Sequence, residues 1–253
     1  MANDLPGLRI AEYLNQYGDK IIRLYLHEGN NLKYGNEIIQ KSECEKIYKS
    51  SILNLPDHIK ELEKERADFI ITVYWAHLLS PEIYNSAKST VNFHPSLLPF
   101  NRGWYPHVHS LIDGSPLGVT LHKIEKGPDT GPIWAQKLTK ISEFDTAKTL
   151  YDRQQSQIVD LFIDNWEKIR NNKIKPVEQD HSKATFKSKH SLKDLDSIDI
   201  EKKYVARDLI NLLRARSFNN LGFAYYKSNG EKIYLNLKLS KSNKFEFDLK
   251  EEG

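Results

Sequence analysis

Apolar and polar positions along residues 20–170 fall into short runs that switch between a period of two and a period near 3.6, so strands and helices are expected to alternate. Ile21–Leu26 reads as a buried strand. Asp57–Ala67 is charged, with Ile59 and Leu62 at helical spacing. The β-branched and aromatic run Phe69–Tyr74 predicts a central strand of a parallel sheet. Thr90–Phe93 predicts a second short strand, ended by Pro95. Tyr105–Ile112 predicts a short helix stopped at Gly114, and Gly118–Ile124 and Ile133–Leu138 predict two further strands. Thr146–Arg170 is a long amphipathic helix with Leu150, Ile158, Leu161, Phe162, Trp166 and Ile169 on one stripe, and Asp145 or Thr146 can cap it. This alternation predicts an α/β domain with a mostly parallel sheet. Ligands of such sheets sit beyond the carboxyl ends of the strands. Asn92 and Asp129 both fall where strands end or pass into loops.

The tail has another character. Residues 180–200 are polar and aperiodic, and Glu201–Arg216 predicts a helix. Ile233, Leu235, Leu237 and Leu239 alternate with polar residues, and Ser228-Asn229-Gly230 is a hairpin turn joining that strand to residues 222–227. Lys244–Leu249 alternates again. Two units are therefore expected: a main α/β domain over 1–180 and a small helix-plus-antiparallel-hairpin appendix over 181–253. Ala2–Gly7 reads as a loop leading into a helix over Leu8–Tyr17. In α/β domains such a loop follows a central first strand, and here only Met1 precedes it. Either that strand is absent or the start is placed too late. The second is favoured, because an absent central strand leaves unpaired backbone in the core.

Composition narrows the class. With 253 residues, 39% apolar and 28% charged, the chain reads as an ordinary soluble globular protein. No apolar run reaches the length of a membrane span, and no secretory leader opens the chain. Cys44 is the only cysteine, which excludes intrachain disulfides and points to a reducing cytoplasm. Residues 1–180 hold 22 Lys+Arg against 24 Asp+Glu, and residues 181–253 hold 15 against 10. So modest a basic tail fits a solvated Lys-rich surface better than a nucleic-acid site.

The candidate chemistry lies in Asn92-Phe93-His94-Pro95-Ser96-Leu97-Leu98-Pro99 and in Asp129-Thr130-Gly131, which begins 35 positions after His94. Attack of a neutral amine on a formyl carbon builds negative charge on the carbonyl oxygen and releases a proton. An imidazole can stabilise that oxygen or relay the proton. An amide can donate to the oxygen without titrating, and a carboxylate can orient the imidazole or take up the proton. His94, Asn92 and Asp129 supply these three parts. Taken singly, each also has a plain structural explanation as a packed histidine, a turn cap or a loop residue. No His/Cys/Asp cluster has metal-ligand spacing.

Four blocks, namely Asn92–Pro99, Arg102-Gly103, Gly118-Val119-Thr120-Leu121-His122 and Asp129-Thr130-Gly131-Pro132-Ile133, resemble in order and spacing the signature of the 10-formyltetrahydrofolate-dependent formyltransferases. The resemblance covers roughly residues 3–180, with a weaker echo to about 240. It implies a Rossmann-like domain, N10-formyltetrahydrofolate as formyl donor, and Asn92, His94 and Asp129 as the catalytic trio. It also implies a folate pocket shaped by Leu97, Leu98 and Pro99 and by the backbone from Ile124 through Gly127 to Asp129. Trp75, Leu78 and Leu79 are candidates for its apolar wall, or for core packing. Among acceptors, Asn101-Arg102-Gly103-Trp104-Tyr105-Pro106 and the short tail resemble most the enzymes that formylate nucleotide-linked (dTDP- or UDP-) amino sugars. Arg102 is suited to hold a diphosphate or to be a solvated loop cation, and Trp104 or Tyr105 to stack on a base or sugar, or to start a helix in the core. His77 and His122 read as structural hydrogen-bonders, His107 and His109 as surface or packing residues, and Arg214 and Arg216 as phosphate contacts or, the favoured reading, solvated tail cations. Methionyl-tRNA formylation, hydrolysis of the folate donor and an inactive binding homologue are the rival readings. The hairpin tail suits pairing into a homodimer.

Overall fold

The computed structural model describes residues 1–240 except Asp194; the alternating stretch Lys244–Leu249 lies outside the described residues. The elements run α1 (Asp4–Gln16), β1 (Leu24–Leu26), α2 (Gly35–Ser42), β2 (Ile47–Lys49), α3 (Pro56–Glu65) and β3 (Phe69–Thr72). There follow α4 (Pro81–Tyr84), β4 (Ser89–His94), β5 (Arg102–Gly103), α5 (Pro106–Asp113), β6 (Gly118–His122), β7 (Ile133–Leu138) and α6 (Ala147–Arg170). The tail adds β8 (Phe186–Lys187), α7 (Ala206–Ala215), β9 (Ser217–Phe218), β10 (Leu221–Gly222), β11 (Ala224–Ser228) and β12 (Glu231–Leu235).

The α/β class expected from the alternation is present, and the sheet is mixed. Strands pair in the order β3-β4-β6-β7, parallel between β3 and β4 and antiparallel from β4 through β6 to β7. Strand β1 pairs β2 in parallel. Parallel pairing requires a long crossover, and antiparallel pairing only a loop. The ten-residue connection from His122 to Ile133 carries no helix, and it returns β7 against β6.

Helix α6 is the main cover of this sheet. Thr146 starts it with a capping box, in which its own N–H donates to the Thr149 hydroxyl. Leu150, Ile158, Phe162 and Ile169 are each 0% exposed. Each such side chain contributes about 1.5–3 kcal/mol on burial. Phe162 meets Phe93 of β4 and Tyr13 of α1 at ring distances of 5.4 and 5.9 Å, joining helix, sheet and helix in one core.

The segment after residue 180 returns to the main body. Strand β8 pairs in parallel with β5, and α7 packs with α5 through the cluster of Val108, Leu111, Leu192 and Ala215. Arg214 and Arg216 are not solvated, as expected from charge alone, but 5% and 8% exposed. Arg214 donates to the Asp145 carbonyl at 2.8 Å and also to that of Ser142, and Arg216 pairs with Asp196. Arg214 fixes α7 to the turn that precedes α6, and Arg216 ties the end of α7 to the Asp196 segment. Strands β11 and β12 form the expected hairpin around Asn229-Gly230.

At the other end, helix α1 begins at Asp4 rather than Leu8, and β1 is confined to its last three expected residues. Met1 and Ala2 occupy the gap between β1 and β3. The Met1 amine donates to the Ile71 carbonyl at 2.9 Å, Val73 N–H donates to the Met1 carbonyl at 3.0 Å, and Ala2 N–H to the Tyr25 carbonyl at 3.1 Å. Beyond them a cavity of about 470 Å³ separates Ile21–Arg23 from Ala67–Phe69. Among the described residues Ile21–Arg23 pair with no strand; Ile21 packs on the core and Arg23 pairs with Glu61 and Glu65. Burial pushes the Met1 ammonium down to about 5. A group depressed in this way contributes stability above its ordinary value of 8.0 and loses it as pH falls toward 5. Thermal unfolding between pH 8 and 5 should therefore fall by several degrees more for the free amine than for a chain whose Met1 nitrogen is acetylated or extended by apolar residues. Equal slopes for the two forms would contradict the buried ammonium.

Candidate active site

One row of three side chains crosses three strands. Thr72 lies in register with Asn92 across β3–β4, and Asn92 with His122 across β4–β6. Side chains in register share a face of the sheet. The Thr72 hydroxyl donates to Asn92 Oδ1 at 2.6 Å, and Asn92 Nδ2 lies 2.9 Å from His122 Nε2. His122 Nδ1 lies 2.8 Å from the Lys123 carbonyl, which can only accept. The His122 proton is therefore on Nδ1, Nε2 accepts, and the Asn92 amide has one orientation. Its NH₂ also points at Asp129 Oδ1, at 3.4 Å.

His94 ends β4 and is 5% exposed. Its Nε2 donates to the Asn101 carbonyl at 3.0 Å, which leaves Nδ1 facing Asp129 Oδ2 at 3.5 Å. Asn101 and Asp129 both take left-handed backbone angles, φ 51° and 54°. The Asp129 carboxylate accepts from the Gly103 N–H at 2.9 Å. Gly103 has φ 91°, and a Cβ there would overlap the Lys187 carbonyl. A Cβ on Gly131 would overlap the Lys123 carbonyl, so the Asp129 loop closes tightly onto β6.

Burial disfavours charge on His94 and lowers its proton affinity, and Asp129 opposes this only in part. Burial alone would raise Asp129. His94, His122 and the Gly103 N–H outweigh it and hold the carboxyl well below the usual carboxylate range. At neutral pH the pair is a neutral imidazole beside a carboxylate. That pair can accept a proton at His94 Nδ1 and hold the resulting imidazolium.

Asn92, His94 and Asp129 line a cavity of about 450 Å³ together with Trp75, Leu78, Leu79, Ile124 and Gly127. Gly103, Trp104 and Tyr105 line its other side. The remaining expected contacts are placed elsewhere. Leu97, Leu98 and Pro99 do not line the cavity. Leu97 packs against Gly118, Leu98 N–H donates to the Thr120 hydroxyl at 3.2 Å, and the Pro99 carbonyl accepts from Thr185. Asn101 is fully buried with its amide on Ser110 and Ser115, so it serves through its carbonyl. Arg102 is 8% exposed and bonded to Gln179 and His181, neither a solvated cation nor free for a diphosphate. His107 lines the cavity and is not at the surface, and burial holds it down at about 4. His109 is buried against Ser191. His77 stands beside Trp75 and His27 on the cavity wall. Sequence reasoning missed Thr72, Tyr74, Tyr151 and Gln179. Thr72 was findable from its place at the end of β3, whereas the others carry no local signal.

Residues 26–165 match the family described as "Formyl transferase", and residues 191–241 match the "N-formyltransferase dimerization C-terminal domain". The chain belongs to the formyl transferase family. This formyl transferase is 26% identical over 202 residues to the dTDP-4-amino-4,6-dideoxyglucose formyltransferase of Mycobacterium tuberculosis, covering 76% of this chain and 85% of that one. The crystal structure of a 4-N formyltransferase from Francisella tularensis superposes with a TM-score of 0.79 at 25% identity, over 92% of this chain and 94% of that one. The formyltransferase PseJ from Anoxybacillus kamchatkensis was crystallised with UDP-4,6-dideoxy-4-formamido-L-AltNAc and tetrahydrofolate. It aligns at 26% identity and a TM-score of 0.53, over 76% of this chain and 98% of that one.

In a titration followed by ring-proton NMR, His94 should take up its proton below the ordinary 6.5. Asp129→Asn should lower it further, because the anion that supports the imidazolium is gone. A His94 that titrates at 6.5 or above would contradict the buried placement.

Proposed function

We propose that this enzyme transfers a formyl group from N10-formyltetrahydrofolate to the amine of a nucleotide-linked amino-deoxy sugar, forming an N-formyl sugar. The observation that carries this reading is the convergence of Asn92, His94 and Asp129 within 3.5 Å at the wall of one cavity. The relatives that act on or hold dTDP- and UDP-linked amino sugars support the acceptor class.

The residues present suit the folate donor. Trp75, Leu79, Pro81 and Ile124 give the cavity apolar walls, and the Trp75 indole N–H is buried without a protein partner. Apolar walls with a few polar groups are what a flat heterocycle requires. The donor, when bound, supplies an activated formyl carbon. The amine nitrogen bonds to that carbon, the bond from N10 to the carbon breaks, and the amine proton passes to N10. In this reading Asn92 Nδ2 donates to the formyl oxygen as it gains charge, giving up its long contact to Asp129. His94 Nδ1 takes the amine proton, and Asp129 holds the imidazolium until the proton is returned. Gly103, Trp104 and Tyr105 lie on the side left for the sugar nucleotide.

Two further readings belong here. The exposed Leu221, Phe223 and Tyr234 of the tail, on the segment matched to a dimerization domain, fit pairing of two copies. Among the described residues no helix is long and apolar enough to cross a membrane, and soluble substrates of this kind fit a cytoplasmic enzyme.

Incubation with the folate donor and a panel of dTDP-, UDP- and GDP-linked amino sugars should yield one acceptor whose mass rises by a formyl group. His94→Ala and Asp129→Ala should each lower its turnover by roughly 10²–10⁴-fold while the far-UV spectrum is retained. Formate release with no formylated acceptor, or near-normal rates in both variants, would overturn the reading.

A further inference from the structure

Behind the Asp129 loop runs a strap of residues 177–187 that touches none of the cavity. It is anchored at one end by Val177, which pairs antiparallel with Ile133 through bonds of 2.7 and 2.9 Å. At the other end it becomes β8, which pairs with β5. Gln179 lies between these anchors and is 5% exposed. Its Nε2 donates to the Asp129 carbonyl at 2.9 Å and to the Gly131 carbonyl at 2.7 Å. Its Oε1 accepts from Arg102 Nη2 at 2.7 Å and Nε at 3.3 Å. Guanidinium only donates and carbonyl oxygen only accepts, so this amide has a single orientation. Both of its N–H groups and both lone pairs of its oxygen are used on two loops.

Those two loops share one further contact. Gly103, next to Arg102, gives its N–H to the Asp129 carboxylate. The distance between strand β5 and the Asp129 loop therefore sets where the carboxylate stands relative to His94. Asp129 also holds a left-handed backbone, φ 54°, which costs energy for a residue with a side chain and persists only when its surroundings impose it. The Gln179 bonds to the carbonyls of residues 129 and 131 bracket that residue on both sides.

We propose that Gln179 is a positioning residue for formyl transfer: it clasps the Asp129 loop to the Arg102–Gly103 strand and so fixes the carboxylate against the His94 ring. The assignment rests on the catalytic reading of Asp129 given above. Arg102 is the second half of the clasp, a buried cation that serves the geometry of the site and does not meet substrate.

The test compares Gln179→Met and Gln179→Glu with Asp129→Asn. Methionine keeps the length and removes all four bonds. The loop slackens, and kcat should fall by about 10²-fold, the effect of a displacement near 1 Å at a reacting group. The KM of donor and acceptor should stay unchanged, because Gln179 meets neither. Glutamate keeps the bonds from Arg102, sets an oxygen against the two carbonyls and adds a negative charge. The titratable and charged groups around His94 are Asp129, His122 and Arg102. The NMR titration of His94, which requires no substrate, should therefore move to lower pH with methionine, as Asp129 recedes; with glutamate the receding Asp129 and the added negative charge oppose each other, so that variant is read by kcat, which should fall as it does for methionine. A lowered melting temperature with kcat and the His94 titration unmoved would reduce Gln179 to a packing residue and overturn the proposal. Should the methionine variant not fold, the glutamate variant decides: it too loses both carbonyl bonds, so its kcat should fall with both KM values unchanged, and an unchanged kcat would overturn the proposal. If Asp129→Asn turns over like the wild type, the catalytic reading has failed instead, which the Gln179 variants by themselves do not show.

Discussion

The site depends on keeping one negative charge inside the protein. Asp129 is largely withdrawn from water, its side chain 15% exposed, and an unsupported buried carboxylate costs several kcal/mol. The cost is offset locally: the Gly103 backbone N–H and, at longer range, the Asn92 amide donate to the two oxygens, and a proton taken up at His94 Nδ1 adds a cation beside them. Much of the unusual backbone nearby follows from this requirement. Gly103 turns left-handed so that its N–H faces inward, Asn101 does so to offer its carbonyl to His94, and Asp129 does so to turn its side chain back toward the sheet.

The parts of the site differ in how firmly they are held. Asn92 and His94 belong to a central strand with partners on both sides, and the Asn92 amide is locked from three directions. Asp129 lies on a loop, where no ladder of backbone bonds holds it. A carboxylate on a loop gains precision only through outside bonds, and here the chain supplies them from a segment some fifty residues later in the sequence. The geometry of the proposed site is therefore shared between a sheet and a strap that leads toward the tail.

Legibility from sequence followed the range of each interaction. The strand ending at His94, the long helix with its Thr146 cap and the hairpin at Asn229-Gly230 are set by neighbours and by periodicity, and they were readable. So was the grouping of Asn92, His94 and Asp129 as one proposed site, because their residue types sit in an ordered set of blocks. Burial of charge was not readable. Arg102, Arg214 and Arg216 look like free cations in one dimension, and only the folded chain shows their carbonyl, amide and carboxylate partners. The antiparallel return of β7 was hidden for a related reason: an apolar run announces a strand and leaves its direction open. Leu97–Pro99 were expected to shape a ligand pocket only from the family resemblance, yet their turn is used to tie that strand end to β6 and the strap. Gln179 gives no signal at all, since one glutamine after a valine predicts nothing until the two loops it joins are in place.

Thr72, Asn92 and His122 stand abreast on neighbouring strands, and this alignment makes the chemistry an all-or-nothing reader of strand pairing. Successive residues of a strand point to opposite faces, so a slip of a single position would turn the Asn92 amide into the hydrophobic interior and bring Val91 or Phe93 to the cavity in its place. Core residues far from any ligand, such as Leu121 and Phe162, thereby guard enzymatic competence simply by refusing every other alignment.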